Sequence, residues 1–88
     1  MTQTFKVSTK SNANSVAGAL AAALKTQDSC VLSTVGAGAL NQATKAVIIA
    51  RGFLIAQGID VCIVPSFEEI EINEEKRTSI KLTIEKKC

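Results

Sequence analysis

The chain has 88 residues, 47% of them apolar, and a formal charge of +2 from ten Lys/Arg against eight Asp/Glu. That length and apolar share fit a single folded domain over residues 1–88 with a thin core, and they exclude a disordered chain. There is no histidine, and the three cysteines form no CxxC pair, so neither a Ser-His nucleophile nor a common zinc set can be assembled.

The first element expected is a strand over residues 4–9, where Phe5 and Val7 alternate with Lys6 and Ser8. The polar run Lys10-Ser11-Asn12-Ala13-Asn14-Ser15 then offers Ser11 or Asn12 as a helix cap. The helix extends to about Thr26, with Val16, Leu20 and Leu24 on one stripe and small alanines beside them. Residues 30–35 form a short buried strand ending at Gly36, and a second helix follows from about Ala39 to Arg51. Leu40, Ala43, Val47 and Ala50 mark its inner stripe, and Gly52 and Gly58 bracket its exit.

A third strand starts at Ile59 and alternates through Val61 and Ile63. After Pro65 the apolar parity moves to Ile70 and Ile72, which predicts a bulge or bend near Pro65-Ser66. Asn73-Glu74-Glu75-Lys76 reads as a short hairpin turn. In the last strand Ile80, Leu82 and Ile84 point inward. The order β-α-β-α-β-β, with right-handed crossovers, makes an α/β two-layer sandwich: a four-stranded mixed sheet with two helices on one face. Cys30 and Cys62 lie in apolar runs and read as packed thiols, and Cys88 reads as an exposed terminal residue. An odd cysteine count, no secretory-type opening segment and no apolar run of about 20 residues set the expectation of a cytoplasmic protein.

Two strand-to-helix junctions are the candidate sites. Gly36-Ala37-Gly38 leads into a helix whose first residues include Asn41 and Gln42, with Lys45 and Arg51 further along. Glycines allow backbone N–H groups to converge on an anion, but Asn41 stands where a dinucleotide fingerprint has its third glycine. A plain tight turn, an anion or phosphate-backbone contact, and a nucleotide site all remain open on these residues. Thr9-Lys10-Ser11-Asn12-Ala13-Asn14-Ser15 forms the other junction, where Lys10 supplies a charge and Ser11, Asn12, Asn14 and Ser15 supply hydrogen bonds. Both junctions follow parallel strands, so they share the carboxyl edge of the sheet, where open α/β sheets gather ligands.

Residues 1–59 carry five Lys/Arg against Asp28 alone, whereas residues 60–88 carry five against seven acids. The basic half can face an anion, and the acidic half argues against a uniformly basic surface. Glu68, Glu69, Glu71, Glu74 and Glu75 read as solvated carboxylates, with nothing enclosing them to raise a pKa for acid catalysis. The chain is not expected to be an enzyme, and no cofactor or metal is expected.

The segments KVSTKSNANSVAGALA, VGAGALNQATKAVIIARGF, IDVCIVPSF and RTSIKLTIE span most of the chain and resemble the stage V sporulation protein S family, a bacterial branch of the Alba-like fold. The resemblance implies a small homodimer that regulates sporulation or development by binding DNA or RNA. Archaeal Alba proteins bind through the same two loops and an extended basic hairpin. On that pattern the first-loop lysine falls on Lys10 and its asparagine on Asn14, while Gly38 and Gln42 occupy second-loop positions that carry cations in the archaeal proteins. The hairpin around Asn73 to Arg77 is short and mixed in charge. The combined reading is a weak, salt-sensitive nucleic-acid-binding homodimer using Lys10, Ser11, Asn12, Asn14, Gly36, Gly38, Asn41, Gln42 and Lys45. The alternative is a protein-interaction or assembly module that uses the same loops.

Overall fold

The computed structural model describes residues 2–87, and the expectation for Cys88 lies outside them. Six elements follow in chain order: β1 (Gln3–Val7), α1 (Ala13–Thr26), β2 (Ser29–Thr34), α2 (Ala37–Ile55), β3 (Val61–Ile72) and β4 (Glu75–Lys86). The sheet order is β1-β2-β4-β3. β1 and β2 are parallel, from Gln3↔Cys30 to Val7↔Thr34, and the two remaining pairings are antiparallel. The two-layer mixed sandwich expected from the sequence is therefore the observed fold.

Strand alternation decides which residues meet the helices. Val7, Cys30, Leu32, Leu82, Ile84 and Val61 are buried on one face of the sheet, against Ala17, Leu20 and Leu24 of α1 and Ala43, Val47, Ala50 and Leu54 of α2. Leu20, Leu24, Leu32, Leu54 and Ile84 are fully enclosed, and each such side chain contributes roughly 1.5–3 kcal/mol. Alanines at the inner positions let the two helices lie close together over β2. Burial also raises the pKa of the Cys30 thiol, which packs as a small apolar group. Cys62 is half-buried on the helix-free face, and both thiols are free.

Helix α2 is longer than its sequence suggests at both ends. It begins at Ala37, which puts Gly38 in the first turn, and it continues through Gly52 to Ile55. A mid-helix glycine costs about 1 kcal/mol, but the wholly buried Leu54 anchors the extra turn and outweighs it. Just before that turn, Arg51 Nε donates to Asp60 Oδ1 at 2.7 Å and Nη2 to Oδ2 at 3.3 Å, pinning the helix end to the start of β3.

No bulge or bend interrupts β3. Its register with β4 is continuous from Val61↔Lys86 to Ile72↔Glu75, straight through Pro65↔Leu82. The proline is tolerated because β3 is an edge strand. Lys87 N donates across to Asp60 O, so even-numbered positions face β4 and odd ones, Pro65 included, turn their amide side outward. The outward N–H of Val61 is taken up by Asp60 Oδ1 at 2.8 Å. The apolar switch to Ile70 and Ile72 has another cause. These two stay on the face of Cys62 and Val64, where they border a recess with Thr4, Lys6, Ser33 and Val35. The helices no longer cover this part of the strand, so the apolar side chains face the other side of the sheet.

The hairpin is also long rather than short. The five pairs from Glu68↔Ser79 to Ile72↔Glu75 lie past Thr34↔Ile80, the last pair of β2, and form an arm of roughly 17 Å. Its turn uses only Asn73 and Glu74, at φ 50° and 66°, while Glu75 and Lys76 already belong to β4. Two successive positive φ values match the type I′ turn of two-residue hairpins.

Two consequences can be measured. Glycine occupies the left-handed region without the Cβ clash of glutamate, so Glu74→Gly should raise stability by about 0.5–1 kcal/mol in urea unfolding. The Arg51 hydrogen bond, with help from the Val61 N–H, holds the Asp60 carboxyl at about 2, below its ordinary 3.8. A depressed folded pKa stabilises above the unfolded value and loses that effect as pH falls through the folded one. Asp60→Asn should therefore melt below the parent at neutral pH, and the two melting curves should converge between about pH 4 and pH 2.

Candidate nucleic-acid interface

The first junction is a closed turn that leaves its lysine outside. Ser8 N donates to Ser11 Oγ at 2.9 Å, Ser11 N to Ser8 O at 3.0 Å, and Lys10 N to Ser8 Oγ at 3.3 Å. Ser11 is thus spent on closing the turn. Asn12 is the N-cap of α1, its side-chain oxygen accepting from Ser15 N at 3.1 Å. Lys10 and Asn14 are exposed and make no side-chain hydrogen bond among the described residues.

The second junction is built differently. Gly36 is the N-cap of α2 at φ 94° and ψ 159°, a conformation open to glycine alone, and it supplies no side-chain cap. The opening N–H groups of a helix lack intrahelical partners and carry the positive end of its dipole. Here they are left without a capping side chain, whereas α1 has Asn12. Asn41 is exposed one turn on.

What joins the two loops is the absence of a side chain at Gly38 and the presence of one at Gln42. A Cβ on Gly38 would sit 2.7 Å from Thr9 Oγ1 and 3.0 Å from Thr9 Cγ2, so only glycine lets the first loop come this close. Gln42 Nε2 donates to Ser11 O at 2.7 Å, and Lys45 Nζ donates to Gln42 Oε1 at 3.1 Å. Gln42 is half-buried and both its polar atoms are engaged, so it positions the loops and Lys45 rather than offering a free amide. Thr9 opens the first junction in the sequence, but nothing there marks it as the residue packed against Gly38. Its signal is indirect, since the glycine that needs it lies 29 positions away.

Charge is sparse on this surface. Lys10 and Lys45 have no carboxylate within ion-pair distance among the described residues. Arg51, grouped with Lys45 on sequence, is committed to Asp60 at the far end of α2 and does not join them. No group of three or more His, Cys, Asp or Glu is placed to hold a metal ion among the described residues. No helix among them is long and apolar enough to cross a membrane.

The family model described as Stage V sporulation protein S matches residues 3–87. Among solved structures, Alba from Thermoplasma volcanium is similar, with a TM-score of 0.61 over 92% of this chain and 99% of that one, at 15% sequence identity. At that identity the likeness concerns the fold, and it agrees with the strand order and the two helices on one face. The family match covers nearly the whole described chain, its fold is Alba-like, and the chain belongs to the stage V sporulation protein S family.

Proposed function

We propose that this protein is a non-enzymatic, cytoplasmic regulator in sporulation or development that binds nucleic acid as a homodimer. The observation that carries the reading is the Gln42–Ser11 bridge. It locks two strand-to-helix junctions into one surface, with an uncapped helix start between Lys10 and Lys45. Backbone N–H groups, hydroxyls and lysines of this kind contact phosphates without reading sequence. Lys10, Asn14, Asn41 and the backbone at Gly36 and Gly38 meet the phosphates, while Ser11, Asn12 and Gln42 hold the loops in place.

Affinity on this reading is modest. Two free lysines per copy give about four phosphate contacts per dimer, and a log–log salt slope of about −3.6. Binding is then micromolar or weaker near physiological salt.

The homodimer rests on an apolar flank. Leu40, Ile48 and Ile55 lie on the side of α2 that turns toward β3, as the Arg51–Asp60 pair shows, and Phe67 of β3 shares a recess with Leu40. Ile48 is 65% exposed, Ile55 47% and Phe67 82%. Apolar exposure on this scale is a mark of an interaction surface. The amide-rich, lightly charged loop face also suits the alternative, a protein-interaction module, and the binding experiment separates the two.

The parent should bind labelled DNA or RNA at about 50 mM salt, and Lys10→Glu should lose at least tenfold in affinity and about half the salt slope. No binding by the parent, or equal binding by the variant, sinks the nucleic-acid reading. For the dimer, Phe67→Asp combined with Ile48→Asp should move the protein from dimer to monomer mass in sedimentation equilibrium. A parent that sediments as a monomer at high micromolar concentration removes this part of the proposal.

A further inference from the structure

The face of the sheet turned away from the helices has no second layer. Across its middle the strand registers align Thr4, Val31, Thr83 and Val64 in one row, one residue from each strand. The adjacent Phe5, Leu32 and Leu82 pack toward the helices, so by alternation this row points outward. Val31 and Thr83 are half-buried, and Val64 is 48% exposed. A sheet face that is merely solvated carries polar residues, whereas the centre of this one is half apolar.

The charges flanking the row have no partner within the chain. On β4, Lys81 and Glu85 stand two residues to either side of Thr83 and share its face. Four residues of strand hold them about 13 Å apart, too far to meet each other. Neither forms an ion pair among the described residues.

We infer that this face stacks on the same face of a second copy, about a two-fold axis through the Val31–Thr83 row. Turned that way, Val31, Thr83 and Val64 meet their own counterparts, and Lys81 of each copy lies opposite Glu85 of the other. The face is thus self-complementary, as a two-fold contact requires. Stacked sheets lie about 10 Å apart with their strands within about 30°, a gap that a lysine and a glutamate reaching from opposite sides can bridge. Charge singles out this axis. One running along the strands between β2 and β4 sets Lys81 against Ser33 and leaves both charges unpaired, and one through the Lys81 row sets that lysine on itself.

The hairpin arm borders this face in a recess toward Lys6 and Val35. Opposite those two the rotation places Thr2 and Gln27, which precede β1 and β2, so the arm meets strand ends rather than the facing sheet. Four strands and three rows give a footprint of roughly 20 by 20 Å, about half the ~800 Å² per partner of a standard interface. The contact is therefore weak. It lies on the opposite side of the sheet from the α2 flank and adds to association there, resting neither on that contact nor on nucleic-acid binding.

Sedimentation equilibrium of the full chain from about 10 µM to about 500 µM reads this contact as a rise in mass. The parent should at least double the mass it has at the low end, and that starting mass, monomer or dimer, reports on the α2 flank separately. Lys81→Glu and Glu85→Lys each set like charges opposite one another, which should weaken the step by about tenfold or more and hold the starting mass. An equimolar mixture of the two variants puts opposite charges back at both positions and should recover the rise. Variants that had merely misfolded could not rescue each other. A parent of constant mass, a rise that either single variant leaves unchanged, or a mixture that does not recover it overturns the inference.

Discussion

The parallel pairing of β1 with β2 is the constraint on which the rest of the molecule depends. Parallel neighbours can be joined only by a crossover, and the right-handed crossover through α1 puts both chain exits on one edge of the sheet and both helices on one face. The alanines of α1 and α2 then decide how closely the helices pack, and hence how near the loops come. Gly38 against Thr9 and Gln42 against Ser11 are the local results of that geometry. A change in the β1–β2 register would move one loop relative to the other and open the bridge.

Within this frame the candidate surface offers backbone and amide groups more than charge. In the second loop this chain has a glycine that admits the first loop and a glutamine that ties it down. The pair gives the two loops a fixed shape. The surface it fixes has its donors preoriented by a helix start rather than delivered on long flexible side chains.

Much of this was legible in the sequence, because the signals are local. Alternation in Phe5/Val7 and Ile80/Leu82/Ile84, the helical stripe through Leu20 and Leu24, and the Gly-Ala-Gly junction gave element types and order. The misses came from tertiary context. Gly52 looked like a helix end because the burial of Leu54 two residues later is not a local property. The parity change after Pro65 looked like a bulge because sequence alone does not tell that the helices stop covering the strand there. The hairpin looked short because turn composition says nothing about where the neighbouring strand β2 ends. On the site side, Lys10, Asn14 and Asn41 are exposed at the two junctions. The engagement of Gln42 and the loss of Arg51 to Asp60 depend on pairs far apart in sequence or across a loop.

Pro65 bears on a different matter, the solubility of a sheet with a twelve-residue open edge. An unpaired strand of that length is a template on which a further chain can add, the first step toward fibrous aggregates. Here Asp60 occupies the first outward donor and the proline removes another, so Ile63 is isolated between them. The donors that remain in sequence, from Phe67 through Glu69 and Glu71, lie among glutamates that repel a second copy of themselves. One imino acid and a few carboxylates thus keep the most β-prone flank of the protein from recruiting strands, while leaving its side chains free to make contacts.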